Sequence, residues 1–156
     1  MKLGIIGSRS LTVENLGKYL PDGVTEIISG GAKGIDTCAQ KYAEEHGIKM
    51  TVFKPDYRKF GRAAPLYRNA DIAAHSDKVI AFWDGDSRGT RSALGICSET
   101  GIPFEVYIYL GDCDEFASEQ YRRFDTELAE ALFFPDKSNF SRVLARSLYD
   151  RIMSDD

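Results

Sequence analysis

Cysteine is scarce in this chain of 156 residues, and what there is of it is badly spaced for cross-linking. Cys38, Cys97 and Cys113 are odd in number and form no Cys-x-x-Cys pair, which points away from a disulfide framework and from a thiolate zinc site. Cys38 and Cys97 fall on helix-like segments and read as small buried hydrophobes. Long apolar runs are missing too. Nothing approaches the ~20 residues of a membrane-spanning helix, and Met1-Lys2-Leu3-Gly4-Ile5-Ile6-Gly7 is too short for the apolar centre of a signal peptide. A cytoplasmic location with no membrane partner is therefore expected. The sequence also lacks internal repeats, low-complexity tracts and a strong positive charge. Its net charge is -4, but residues 1–110 carry 14 Lys+Arg against 13 Asp+Glu, while residues 111–156 carry 6 against 11. The acidity thus belongs to the tail, and any attraction to nucleic acid must come from a local basic patch.

What is present is an ordinary globular composition, 43% hydrophobic and 28% charged, long enough for one buried core. Apolar runs at 3–6, 24–28, 48–53, 78–83 and 104–110 read as strands. Helical spacing at 13–20, 36–46, 66–75 and 90–100 separates them. Strands alternating with helices of this length imply right-handed crossovers and a parallel sheet covered on both faces. The expected fold is α/β, with a five-stranded, mostly parallel sheet over residues 1–110. The acidic tail, 111–156, carries two apolar stripes at helical spacing: Phe116, Phe124, Leu128, Ala131 and Leu132, then Phe140, Leu144, Leu148 and Ile152. Two amphipathic helices are expected there, packed on the sheet or offered to a second copy of the chain as a homo-oligomer surface.

The most distinctive stretch is Ser29-Gly30-Gly31-Ala32-Lys33-Gly34-Ile35-Asp36, a strand end, a glycine-rich turn and the start of a helix. Such a turn brings backbone N–H groups and the positive end of the helix dipole to one point, which suits phosphate or carboxylate. It is neither the GxGxxG of a dinucleotide fold nor a P-loop, since Lys33 sits inside the turn. A second loop of the same type, Asp84-Gly85-Asp86-Ser87-Arg88-Gly89-Thr90, follows the fourth strand. A third segment, residues 54–65, shows no clear period and holds two prolines. Arg58, Lys59, Arg62 and Arg68 make the densest basic cluster, interleaved with Tyr57, Phe60 and Tyr67, a mixture that can grip phosphate and stack on a base. With Gly7, Ser8, Arg9 and Ser10 after the first strand, every unusual loop falls at the carboxyl ends of the strands, where doubly wound sheets bind ligands.

Individual residues admit definite roles. Arg9 and Arg68 are the candidate oxyanion clamps, because a guanidinium fork binds such oxygens in pairs. Asp36 either complements its helix dipole or accepts from a ribose hydroxyl. Asn69 reads a base edge or caps a helix. Asp84 and Asp86 are turn formers, or a general base or metal ligands if the site shifts a pKa or adds oxygens. Thr90 caps a helix or binds phosphate, and Trp83 stacks on a base or fills core. His46 and His75 lie near helix ends, where the dipole accounts for them. No metal site is expected.

The succession Ile6-Gly7-Ser8-Arg9, then Ser29 to Asp36 with Ala39, Tyr42, Ala43 and Gly47-Ile48, resembles the SLOG superfamily of Rossmann-like proteins, which groups the DNA-processing protein DprA with the LOG phosphoribohydrolases. Phe60-Gly61-Arg62-Ala63-Ala64, Arg68-Asn69, Val79 to Gly85 and Ser87 to Thr90 narrow the likeness to the small bacterial and phage branch called YspA-like or YAcAr. The likeness covers residues 2 to about 108. It implies a three-layer Rossmann-like domain and a nucleotide or nucleotide-derived ligand of unspecified identity. Phosphate would lie at the two glycine loops, and the candidate ligand-binding residues are Gly7, Ser8, Arg9, Ser29, Gly30, Gly31, Ala32, Gly34, Asp36, Arg62, Arg68, Asn69, Asp84, Ser87, Gly89 and Thr90. This sequence departs from the LOG enzymes where their Pro-Gly-Gly-x-Gly-Thr-x-x-Glu motif supplies a catalytic glutamate: Gly89-Thr90 is kept, but the glutamate position is Ala93. Pro65 interrupts the branch's usual Gly-Arg-Ala-Ala-Gly-Pro.

Three functions follow as expectations. The first is a nucleotide-binding sensor or carrier domain. The second is an enzyme cleaving the N-glycosidic bond of a nucleoside monophosphate or related ribosyl compound, with Asp36 or Asp84 in place of the glutamate. The third is DprA-like binding of single-stranded nucleic acid through Tyr57, Arg58, Lys59, Phe60 and Arg62.

Overall fold

A computed structural model of the chain describes residues 1–111 and 120–135. The strands are β1 (Lys2–Gly7), β2 (Glu26–Ser29), β3 (Lys49–Val52), β4 (Lys78–Trp83), β5 (Phe104–Tyr109) and β6 (Tyr121–Phe124). The helices are α1 (Ile35–His46), α2 (Tyr57–Phe60), α3 (Ala64–His75), α4 (Arg88–Thr100) and α5 (Thr126–Phe133). One sheet runs in the order β3-β2-β1-β4-β5-β6. The first five strands pair in parallel and β6 pairs antiparallel to β5. This is the expected three-layer α/β, Rossmann-like arrangement, with one strand more than the five read from the sequence.

The interior strands are apolar on both sides because both sides are covered. In β4, Ile80 and Phe82 join Leu3, Ile5 and Ile27 in a core shared with Ile35, Ala39 and Ala43 of α1. Val79, Ala81 and Trp83 face the opposite way, into a core shared with Ala70 and Ala73 of α3 and Leu94 and Cys97 of α4. Cys97 is an inert small hydrophobe there, its thiol pushed up to about 12 by burial. Cys38 is only half-buried, its sulfur accepting from the Val13 amide at 3.5 Å.

The sixth strand corrects the tail. Residues 114–132 read as one helix from their apolar spacing, but Tyr121 and Phe124 are buried in opposite cores. Three residues apart, they would share a face of a helix; in a strand they point to opposite faces. Tyr121 stands edge-on to Phe82 at 5.4 Å and donates to the Thr12 carbonyl at 3.0 Å. α5 then starts at Asp125, whose side chain accepts from the Leu128 amide at 2.9 Å as an N-cap. Cys113, Phe116 and the stripe from Phe140 to Ile152 lie outside the described residues.

Smaller differences have local causes. The helix expected at 13–20 shrinks to a 3-10 turn, Leu16–Tyr19, because Asn15 takes a left-handed φ of 53° and Leu20 is extended. The segment read as loop holds α2, capped by the Asp56 carboxylate on the Lys59 amide, and a 3-10 turn at Gly61–Ala63. α3 begins at Ala64 because Pro65 suits the first turn of a helix, where no N–H is needed. α4 begins at Arg88, so Thr90 lies inside its first turn and is not its N-cap. Among the described residues, no helix is long and apolar enough to cross a membrane.

Across β4, β5 and β6, Glu105 receives Lys78 Nζ at 2.6 Å and Arg123 Nη2 at 2.9 Å. The Arg123 hydrogen bond, aided by Lys78 and opposed by burial, holds its carboxyl down at about 2. A carboxyl depressed in the folded state stabilises fully above its unfolded pKa of about 4.3, and that stabilisation fades as the pH falls toward the folded value. Glu105→Gln should therefore cost about 1 kcal/mol at neutral pH. Thermal unfolding followed from pH 5 down to pH 2 should show the gap between variant and wild type closing.

Candidate functional site

In this sheet the chain winds outward from β1 through β2 to β3, then crosses back to β4 on the other side of β1. Loops leaving β1 and β4 therefore diverge and open a crevice at their carboxyl ends. A cavity of about 360 Å3 lies there, bounded by the loops after β1, β2 and β4, by one side of α3 and by the first turns of α1 and α4. Gly7, Arg9, Gly30, Ala32, Asp36, Arg68, Asn69, Asp84, Ser87, Gly89 and Thr90 line it. Ser8, Ser29, Gly31, Gly34 and Arg62, also named from the sequence, do not.

Several of the residues outside the lining hold the loops together. The Ser8 amide donates to the Phe82 carbonyl at 3.0 Å, and its buried hydroxyl accepts from the Asp84 amide at 3.1 Å. The loops after β1 and β4 are thereby joined. Gly34 joins the third: at φ 74° it lies so close to the Ser8 and Arg9 carbonyls that a Cβ would meet them at 2.7 and 2.6 Å. Ser29 is fully buried, its carbonyl accepting from the Phe53 amide at 2.9 Å. Arg62 is exposed on its 3-10 turn.

Arg68 and Asn69, adjacent on α3, span the two glycine loops. Arg68 donates from Nη1 to the Gly30 carbonyl at 2.9 Å and from Nε to Asn69 Oδ1 at 3.0 Å. Asn69, 7% exposed, donates from Nδ2 to the Gly89 carbonyl at 3.4 Å. Asn69 is thus engaged within the protein and is not a free reader of a base edge. Burial pulls the Arg68 pKa below the ordinary guanidinium value; Asp36 and Tyr57 work against that shift, and the nearby Arg9 adds to it. Two cations therefore face one cavity.

The two candidate acids differ. Asp84 Oδ1 accepts from the amides of Asp86 and Ser87 at 2.9 and 2.8 Å, and Oδ2 accepts weakly from Ser10. Burial opposes its charge, but the Ser87 and Asp86 amides and the Ser8 and Ser10 hydroxyls outweigh it and keep the carboxyl below its usual range. Asp84 is the ionised staple of a turn. Asp36 is buried, and its Oδ2 accepts from the Ala32 amide at 3.0 Å across the first glycine loop. Thr90 is buried, its hydroxyl 3.4 Å from that of Ser87. Among the described residues, no group of three or more His, Cys, Asp and Glu is placed to hold a metal ion.

Trp83 fills core: its Nε1 donates to the Ser87 carbonyl at 3.0 Å, and its ring meets Phe133 edge-on. Apart from Arg68, the basic and aromatic cluster lies outside the cavity lining. Phe60 stacks on Tyr67 with ring centroids 3.9 Å apart, Lys59 Nζ lies 5.1 Å from the Phe60 ring centroid, and Tyr57 is 58% exposed. His46 and His75 donate from Nδ1 to the Tyr42 and Asp71 carbonyls, one turn back in α1 and α3, and neither lines the cavity.

The sequence reading missed Ile6, Ser10, Pro65, Ile72 and Ala93 as lining residues. Helical spacing carried a signal for two of them, since Ile72 follows Arg68 by four and Ala93 follows Thr90 by three. Gly34→Ala should force both a disfavoured backbone conformation and a clash with two carbonyls, costing at least about 2 kcal/mol. Urea unfolding should find its midpoint lowered by that amount, independent of any ligand.

The comparisons with known proteins bear on the same loops. No curated protein matches the chain. The family model YAcAr, described as YspA, cpYpsA-related SLOG family, matches residues 7–60, from the end of β1 through the first glycine loop and α1 to the end of α2. Through that segment the chain is similar to the YspA, cpYpsA-related branch of the SLOG superfamily.

Proposed function

We propose that this protein binds a nucleotide or nucleotide-derived ligand as a sensor or carrier domain, with an anionic group between its two glycine loops. The observation that carries the reading is Arg68. A guanidinium has five N–H donors, and Arg68 spends two of them on Gly30 and Asn69. The rest have no protein partner among the described residues, in a cavity that also receives Arg9 and the first turns of α1 and α4. A half-buried cation with unused donors beside two helix N-termini is complementary to phosphate. The SLOG relationship supports a nucleotide-related ligand.

Binding is favoured over turnover because the cavity lacks a convincing acid and base. Ala93 lines it where the LOG motif has a glutamate, and Asp84 is held ionised by its turn. One observation keeps a second reading, N-glycosidic hydrolysis, in play. Asp36 is buried on the cavity wall and tied to the loop through Oδ2 alone, as a group acting on a ribosyl carbon requires.

The test is thermal unfolding against nucleoside monophosphates, NAD, ADP-ribose and cyclic nucleotides. A ligand at ~100 times its Kd stabilises by about 2.7 kcal/mol, roughly 5–10 °C for a chain of this size. One compound should shift the wild type by that much and Arg68→Ala by under a third of it; no shift with any compound overturns the proposal. Incubating the stabilising compound with wild type and Asp36→Asn, then assaying free base, separates the two readings. Release that Asp36→Asn abolishes would establish the hydrolase; no release from the wild type leaves the binding domain.

A further inference from the structure

Glycine at position 30 has a reason different from its neighbours. Gly31 and Gly34 take left-handed φ values of 70° and 74°, but Gly30 does not. Its backbone would accept any residue. What forbids a side chain is space: a Cβ at Gly30 would lie 2.5 Å from Arg68 Nη1, 3.0 Å from Arg68 Cζ and 3.1 Å from Asp36 Oδ2. The obstacle is therefore the far end of one flexible side chain, together with the carboxylate beside it. No backbone stands in the way.

On the other side of the guanidinium stands Asn69. Its Oδ1 takes Arg68 Nε–H at 3.0 Å, while its own amide is anchored on the Gly89 carbonyl. Arg68 is thus held from both ends, by the Gly30 carbonyl at Nη1 and by Asn69 at Nε. An arginine free to rotate loses side-chain entropy on binding an oxyanion; one already fixed loses far less.

We propose that Gly30 and Asn69 are positioning residues for Arg68: together they set its guanidinium in one orientation before any ligand arrives, leaving its unused N–H groups as a fork for a single phosphate or carboxylate. Gly30 leaves room for the arginine, and the ligand need not approach its backbone. Asn69 acts by holding Arg68 and makes no ligand contact of its own. This deepens the nucleotide reading and rests on it for the identity of the oxyanion, though the fixing of Arg68 stands independently.

The experiment has two arms on the full chain. The first needs no ligand. In 15N-labelled protein the Arg68 Nε–H signal, assigned by its loss in Arg68→Ala, should be resolved and slow to exchange with water. It should move to the position of exposed arginines and exchange rapidly in Gly30→Ala and in Asn69→Ala, whose backbone amide spectra stay native. The second arm titrates inorganic phosphate and adenosine 5′-monophosphate. Gly30→Ala and Asn69→Ala should each weaken binding by roughly tenfold or more, the scale of a lost charge-assisted hydrogen bond. Neither should weaken it further once Arg68 is alanine, since residues acting through one group are not additive.

An Arg68 signal that is mobile in the wild type, or unchanged in both variants, overturns the proposal. So do losses of affinity that add to that of Arg68→Ala. If the wild type binds neither probe while the Arg68 signal behaves as described, the positioning holds and the nucleotide reading falls for those probes. If Asn69→Ala disturbs the fold, Gly30→Ala decides both arms, because its backbone conformation admits alanine.

Discussion

The upper edge of the sheet depends on close contact between backbones. Ser8 bonds to Phe82 and Asp84, and Gly34 rests against the Ser8 and Arg9 carbonyls with no room for a side chain. These contacts clamp three loops, from β1, β2 and β4, into one body. Such a clamp can form only where adjacent parallel strands end at the same level and their connections diverge, which is the place between β1 and β4. The cavity is the space that this divergence leaves, and the clamp gives it fixed walls.

Charge then decides what that space suits. The first turns of α1 and α4 bring positive dipole ends, Arg9 and Arg68 bring two cations, and the two carboxylates are engaged to different degrees. Asp84 is consumed by its turn, and Asp36 is tied to Ala32 through one oxygen. The balance favours an anion over a cation, which is the basis of the binding role proposed above. Ala93 pushes the same way, since it presents a methyl group and no acid on the cavity wall.

The fold was legible in the sequence where periodicity was strong. The five parallel strands and α1, α3 and α4 follow from apolar runs bounded by glycine and proline, because both faces of the sheet are buried and the signal is continuous. It failed at β6, where Tyr121-Arg122-Arg123-Phe124 has apolar residues three apart, a spacing that suits a helix as well as a strand buried on opposite faces. Only the aromatic cluster of Tyr19, Phe82 and Tyr107 on one side and the core around Phe133 on the other select the strand. At the cavity, the glycine loops announced themselves by composition, but Ser8 and Gly34 turned out to hold the loops together, away from the cavity. Asn69 looked like a free amide until its partners, 20 residues away at Gly89 and next door at Arg68, were known. Contacts of that kind depend on which loops the topology brings together, and no local pattern encodes them.

The central claim is that the two glycine loops form one anion site. A two-dimensional amide NMR titration of the wild type with adenosine 5′-monophosphate, set beside one with inorganic phosphate, tests it most directly. If the loops are one site, the amides of Gly30 to Asp36 and of Ser87 to Thr90 shift together along a single saturation curve. If only one loop responds, or the shifts gather instead on the exposed cluster from Tyr57 to Arg62, the loops are separate turns and the ligand binds elsewhere.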